Sequence, residues 1–152
     1  MTKTETKTDT AAAFDPSVFA AANADTADMT VMHPITKEPT EWVIVFAGPT
    51  HPKSIALGDK FTREGLAKAK RIEQARTNGK KYKGENKSPD ELRREAIENA
   101  VAQIVTWRGS SVEFSEKAAI DMLMDPNYYR LVNQITEFLD DEDRFIKTSA
   151  AT

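Results

Sequence analysis

Apolar residues recur along this chain in two rhythms, and the change from one to the other divides it. From Thr30 to Ala47 the runs T-V-M-H, P-I-T-K-E-P and T-E-W-V-I-V-F-A surround a proline-bounded turn. Val, Ile, Trp and Phe suit a pleated, half-buried surface, so a β-hairpin is predicted over 29–47, stopped by Gly48-Pro49. The next stretch, T-H-P-K-S-I-A-L-G, carries three turn-forming residues and reads as a loop or an irregular third edge strand. A two-stranded hairpin is not stable alone. It must pack on helices or pair with the sheet edge of another protein.

Beyond Asp59 the spacing becomes helical. Phe61, Leu66, Ala69 and Ile72 form one apolar face and predict a helix over 59–76. T-N-G-K-K-Y-K-G-E-N-K then reads as a mobile loop. Ser88-Pro89-Asp90-Glu91 supplies a cap, a proline at the first helical position and acids in the first turn. The apolar series Leu92, Ile97, Val101, Ile104 and Val105 carries that helix to Trp107, over 89–107. After a polar break at Gly109, Ser115 is an N-cap without the full capping box, and a helix is predicted over 115–124. Asp125-Pro126 ends it, because the residue before proline is pushed out of the helical region. Tyr128, Leu131, Val132, Ile135, Phe138 and Leu139 form the stripe of a last helix over 127–146. The expected architecture is α+β, a small hairpin or sheet on about four helices, with Trp107 and Phe114 as the inner layer. Residues 1–28 read as a flexible polar arm, within which Phe14, Val18 and Phe19 form a turn or two of helix or a segment that orders on a partner. Residues 148–152 read as a loose tail.

With 152 residues, 39% of them hydrophobic, the chain fits one domain plus tails. No run of about 18 apolar residues exists to form a transmembrane helix. The first residues lack the apolar stretch of a signal peptide. The absence of cysteine excludes disulfides, thiolate catalysis and cysteine-ligated zinc, and suits a reducing compartment. A cytoplasmic protein is expected.

The net charge is −3, but it is unevenly spread. Residues 60–94 hold twelve Lys or Arg against five Asp or Glu, while the remainder holds nine against nineteen. A solvated helix face with a flexible loop accounts for the basic stretch. An acidic protein partner, or phosphate backbones, are the functional readings, although Tyr82 is its one aromatic and no stacking platform accompanies it. His33 and His51 each precede a proline and have no third ligand at metal-like spacing, so both read as turn residues. The acidic run Asp140-Asp141-Glu142-Asp143 lacks the alternating ligands and central glycine of a calcium loop. Phosphate-cradling loops and serine elbows are absent, and Ser54, Ser110 and Ser111 have no activating neighbour in sequence. Neither catalytic residues nor cofactors are expected. Trp107 and Trp42 both read as core, with one alternative for Trp42: strand alternation can leave it on the open face of the hairpin, where it would anchor an interface.

Taken in order, the polar arm, H-P-I-T-K-E-P, a strand ending A-G-P-T-H-P, a basic helix with a Lys/Gly loop, a helix ending I-V-T-W-R-G, and F-S-E-K-A-A-I-D-M-L-M-D-P-N-Y-Y-R-L-V-N-Q-I with a terminal R-F-I form a pattern. Over residues 28–147 this pattern resembles the tail assembly chaperones of long-tailed bacteriophages. His33-Pro34, Gly48-Pro49, Trp107, Phe114-Ser115, Leu123 with Asp125-Pro126, and Phe145 carry the likeness. The resemblance implies a non-enzymatic protein of the infected host's cytoplasm, absent from the mature virion. It would coat the tape measure protein, keep it soluble and help recruit tail tube subunits. In many such phages a frameshifted form carries a second domain, and this chain would be the unextended form.

A protein that coats a long apolar helix needs an apolar groove between its own helices. Met122, Leu123, Tyr128, Tyr129, Leu131 and Ile135, with Trp42 on the hairpin, are the expected partner surface, the methionines as adaptable contacts. Self-association is a further expectation. The rival readings are a structural virion component, such as a minor tail or head–tail connector protein, and a nucleic-acid-associated regulator that uses residues 60–94.

Overall fold

The computed structural model describes residues 13–84 and 86–147. Positions 1–12 of the expected arm and the expected tail at 148–152 lie outside them. In chain order come α1 (Ser17–Ala22), β1 (Thr26–Met32), β2 (Pro39–Ala47), α2 (Pro52–Thr77), α3 (Pro89–Val101), β3 (Ile104–Arg108), α4 (Glu116–Met124) and α5 (Tyr129–Asp140). Short 3-10 turns at Pro126–Tyr128 and Glu142–Phe145 flank α5. The three strands form one antiparallel sheet in the order β1-β2-β3, and the fold is α+β.

Local chemistry explains most boundaries. Ser88 Oγ accepts the Glu91 N–H and opens α3, and Ser115 Oγ accepts the Ala118 N–H and opens α4. Asp125 caps the 3-10 turn before α5, and Pro126 occupies its first position. At α1 the Asp15 carboxylate accepts the Ser17 N–H at 3.0 Å, and this bond, with the Ser17 side chain, holds the carboxyl below its ordinary pKa. Residues 33–38 form the hairpin turn, closed by His33 N–H donating to Glu38 O at 2.8 Å, with Lys37 left-handed at φ 64°.

Four expectations are corrected. Within the flexible arm expected over 1–28, Ser17–Ala22 forms α1 and β1 already begins at Thr26. The helix predicted over 89–107 stops at Val101, and Ile104–Arg108 is the third strand, paired with β2. The segment expected to be a loop or edge strand after Gly48-Pro49 is instead the start of α2, because His51 Nδ1 caps the Lys53 N–H and Pro52 sits at the first helical position. The last predicted helix is also shorter, ending at Asp140 before a 3-10 turn.

Strand alternation puts Met29, Val31, Ile44 and Phe46 on the face that meets α3, α4 and α5, and the register shift between Val45 and Phe46 lets Ile104 join Trp107 on that same face of β3. Ile97, Val101, Leu123, Leu131, Ile135 and Phe138 fill the other side of this core. Phe46 stacks on Phe138 at 5.2 Å, and Phe145 meets Phe138 edge to face at 5.8 Å. On the opposite face Arg108 of β3 reaches Asp28 of β1 at 3.0 Å, spanning β2.

Each sheet end is fastened by the helical layer. Gln134 of α5 accepts the Met32 N–H at 2.9 Å and donates to Met32 O at 3.0 Å, so its amide imitates a neighbouring strand at the β1 edge. Ala24 N–H donates to Phe145 O, and Lys147 N–H donates to Ala22 O, which clasps the two ends of the described chain together. Gly109 is left-handed at φ 81°, and a Cβ there would overlap the Glu41 carbonyl.

A candidate partner-binding groove

The hairpin end, the 109–110 turn and the start of α5 enclose an open groove of about 630 Å³. Its apolar surface comes from Val31, Met32, Pro34, Trp42, Tyr128 and Leu131. The Gln134 clamp holds β1 against α5 and so fixes one wall. The Gly109 backbone, lying against Glu41 where no side chain would fit, fixes another. His33 is a structural turn residue here: its Nδ1 accepts the Ile35 and Thr36 N–H groups at 3.1 and 3.3 Å. Glu41 and Arg130, both exposed, give the groove polar margins.

Trp42 does not lie on the open face of the hairpin. It shares the core side of β2 with Ile44 and Phe46, two and four residues further along the strand, and packs half-buried against the core. The two indoles meet edge to face at 5.1 Å, and Phe114 continues the series at 5.0 Å from Trp107. Trp107 Nε1 donates to Val112 O at 2.8 Å. Trp42 Nε1 is sealed from solvent and has no hydrogen-bond partner among the described residues.

Of the seven residues expected to meet a partner, the structure gathers Trp42, Tyr128 and Leu131 along this groove. Tyr128 is exposed, while Leu131 is a buried residue that reaches the groove from below. Tyr129 is exposed with the Arg130 guanidinium over its ring at 4.8 Å, but it lies outside the groove. Met122 is half-buried against the core. Leu123 and Ile135 are corrected to core residues, 5% and 2% exposed, because the inward side of each helix is the side that carries them. A charge at Leu131 or Ile135 would therefore disrupt the fold itself.

The sequence reading missed Val31, Met32, Pro34 and Gln134. His33-Pro34 signalled a turn, but nothing in their spacing places them beside residues a hundred positions later. Among the described residues no cluster of three or more His, Asp or Glu side chains is placed to hold a metal ion. Nor is any described helix long and apolar enough to cross a membrane. Compared with protein-family models, curated proteins and solved structures, the chain matches none of them.

Proposed function

We propose that this chain is a tail assembly chaperone of a long-tailed bacteriophage, which binds and solubilises the tape measure protein and helps recruit tail tube subunits. The observation that supports this reading is the groove between the hairpin and α5. Its apolar lining and polar margins suit the apolar face of a helix, which enters such grooves through anchors at i, i+3, i+4 and i+7. Ile35, 82% exposed at the tip of the hairpin next to the groove, extends the apolar surface available to a long partner. The protein acts by covering apolar surface and needs no bond-making chemistry.

The test is co-expression with the tape measure protein of the same phage, followed by pull-down. The wild-type chain should bring the long protein into the soluble fraction. Met32→Glu and Tyr128→Glu, both at exposed groove positions, should abolish this while leaving the far-UV circular dichroism and unfolding midpoint unchanged. Retained solubilisation by both variants would remove the groove from the mechanism.

A second reading, a structural component of the virion, draws support from the exposed Phe14 and Phe19 of the N-terminal segment, which pair with each other at 5.7 Å and leave apolar surface for a neighbouring subunit. Detection in purified virions would favour it over the chaperone.

A further inference from the structure

α2 is built inside out. At 100° per residue, Lys53, Lys60, Glu64 and Arg71 fall along one narrow line of the helix. That line faces the rest of the domain: Lys53 pairs with Glu116 at 3.5 Å, and Lys60 donates to Asn99 Oδ1 at 3.3 Å. Glu64 and Arg71 border an open gap of about 520 Å³ shared with Leu92 and Glu95 of α3. The opposite side, over an arc of about 140°, carries Ile55, Phe61, Leu66 and Ile72, all exposed, and no residue of the 26-residue helix is buried. Between Ile55 and Ile72 the outward face carries no charge along about 26 Å. A helix of this kind is ordinarily stabilised by burying its apolar stripe, and this one leaves the stripe uncovered.

We infer that the outward face of α2 pairs with the same face of a second copy, antiparallel, about a two-fold axis between Arg63 and Glu64. Positions 55, 58, 62, 65, 69 and 72 follow the alternating three- and four-residue spacing of a helix-pairing seam. The seam is its own complement when reversed. Ile55 meets Ile72 of the other copy, Gly58 meets Ala69, and Thr62 meets Gly65, so large residues close the ends and small ones let the middle approach. A two-fold contact requires this self-matching, because each surface must fit itself. Gly58 and Gly65 weaken the interior of an isolated helix, and a Cβ at either would meet nothing within 4 Å in the same copy. Charge agrees with this occupant: Asp59 and Lys70 share one flank, and the two-fold carries Asp59 of each copy towards Lys70 of the other. A nucleic acid would need a basic outward face, and between Ile55 and Ile72 that face carries no charge. The inference does not depend on the function proposed above.

Sedimentation velocity on the full chain over a concentration series should show the 16.9 kDa protomer converting to a species of twice that mass. Leu66→Glu and Ile72→Glu should hold it at the protomer mass with unchanged circular dichroism. The chain lacks cysteine, so Arg63→Cys and Thr77→Cys can each carry one nitroxide. The antiparallel pair predicts a short separation between labels at position 63 and about 40 Å along the axis at position 77. A protomer mass at every concentration would overturn the pairing and assign the stripe to a different partner. A dimer that survives both glutamate variants, or short separations at both labels, would overturn it equally.

Discussion

Trp42 and Trp107 meet edge to face, yet their indole N–H groups have opposite surroundings. Trp107 Nε1 donates to Val112 O at 2.8 Å, whereas Trp42 Nε1 is sealed from water without a partner among the described residues. Phenylalanine keeps a ring at either position and removes only the N–H and part of the surface. The smaller ring gives up roughly 40 Å² of apolar burial, about 1 kcal/mol. At Trp107 a hydrogen bond of about 1–1.5 kcal/mol is also lost, so Trp107→Phe should destabilise the domain by about 2–2.5 kcal/mol. At Trp42 removing an unsatisfied buried donor returns about 1–3 kcal/mol, which offsets or exceeds the lost area. Trp42→Phe should therefore be neutral to about 2 kcal/mol more stable. Urea unfolding followed by far-UV circular dichroism, with an unchanged slope on denaturant, measures both. A Trp42→Phe variant destabilised as much as Trp107→Phe would refute the reasoning, since it would mean that the Trp42 N–H is satisfied in the folded protein.

Gly109→Ala forces a side chain into a left-handed backbone against the Glu41 carbonyl, and should cost about 3 kcal/mol or more in the same unfolding assay. Gln134→Ala removes both bonds to the Met32 backbone. Because Met32 is exposed, water replaces them, and the loss should be only about 1–2 kcal/mol, with faster hydrogen exchange at the Met32 amide as its local mark. Unchanged protection there would mean that the clamp does not hold the edge in solution.

The parts of the fold legible in the sequence are those written in local chemistry. Ser88-Pro89 and Ser115 cap helices as their residue types dictate, and the Val-Ile-Val-Phe run forms a strand. β3 escaped because Ile104 and Val105 continue the apolar spacing of α3, so helical periodicity ran through the boundary. The signal that marks the change is the β-branched run Ile104-Val105-Thr106 before Trp107. The start of α2 escaped because histidine is an unusual N-cap, and His-Pro reads as a turn. Ser54, expected in a loop, is in the first turns of α2, where its hydroxyl donates to Ala47 O. The groove was only partly legible. Tyr128 and Leu131 declare themselves as helix-face residues, but their neighbours Val31, Met32 and Trp42 arrive through sheet pairing, which no spacing along the chain encodes.

The clasp between residues 22–24 and 145–147 makes the domain a closed loop in time as well as in space. The β1–β2 hairpin needs only a short stretch of chain and can form early. The clasp unites segments about 120 residues apart, and Phe145 itself belongs to the core. At synthesis rates of about 5–20 residues per second, roughly 6–24 s separate the emergence of its two halves. Through that interval α1 has nothing to close against, and Phe14 and Phe19 trail from the nascent hairpin as free apolar surface. The 3-10 turn at Glu142–Phe145, made long after α1, is therefore the one that completes it.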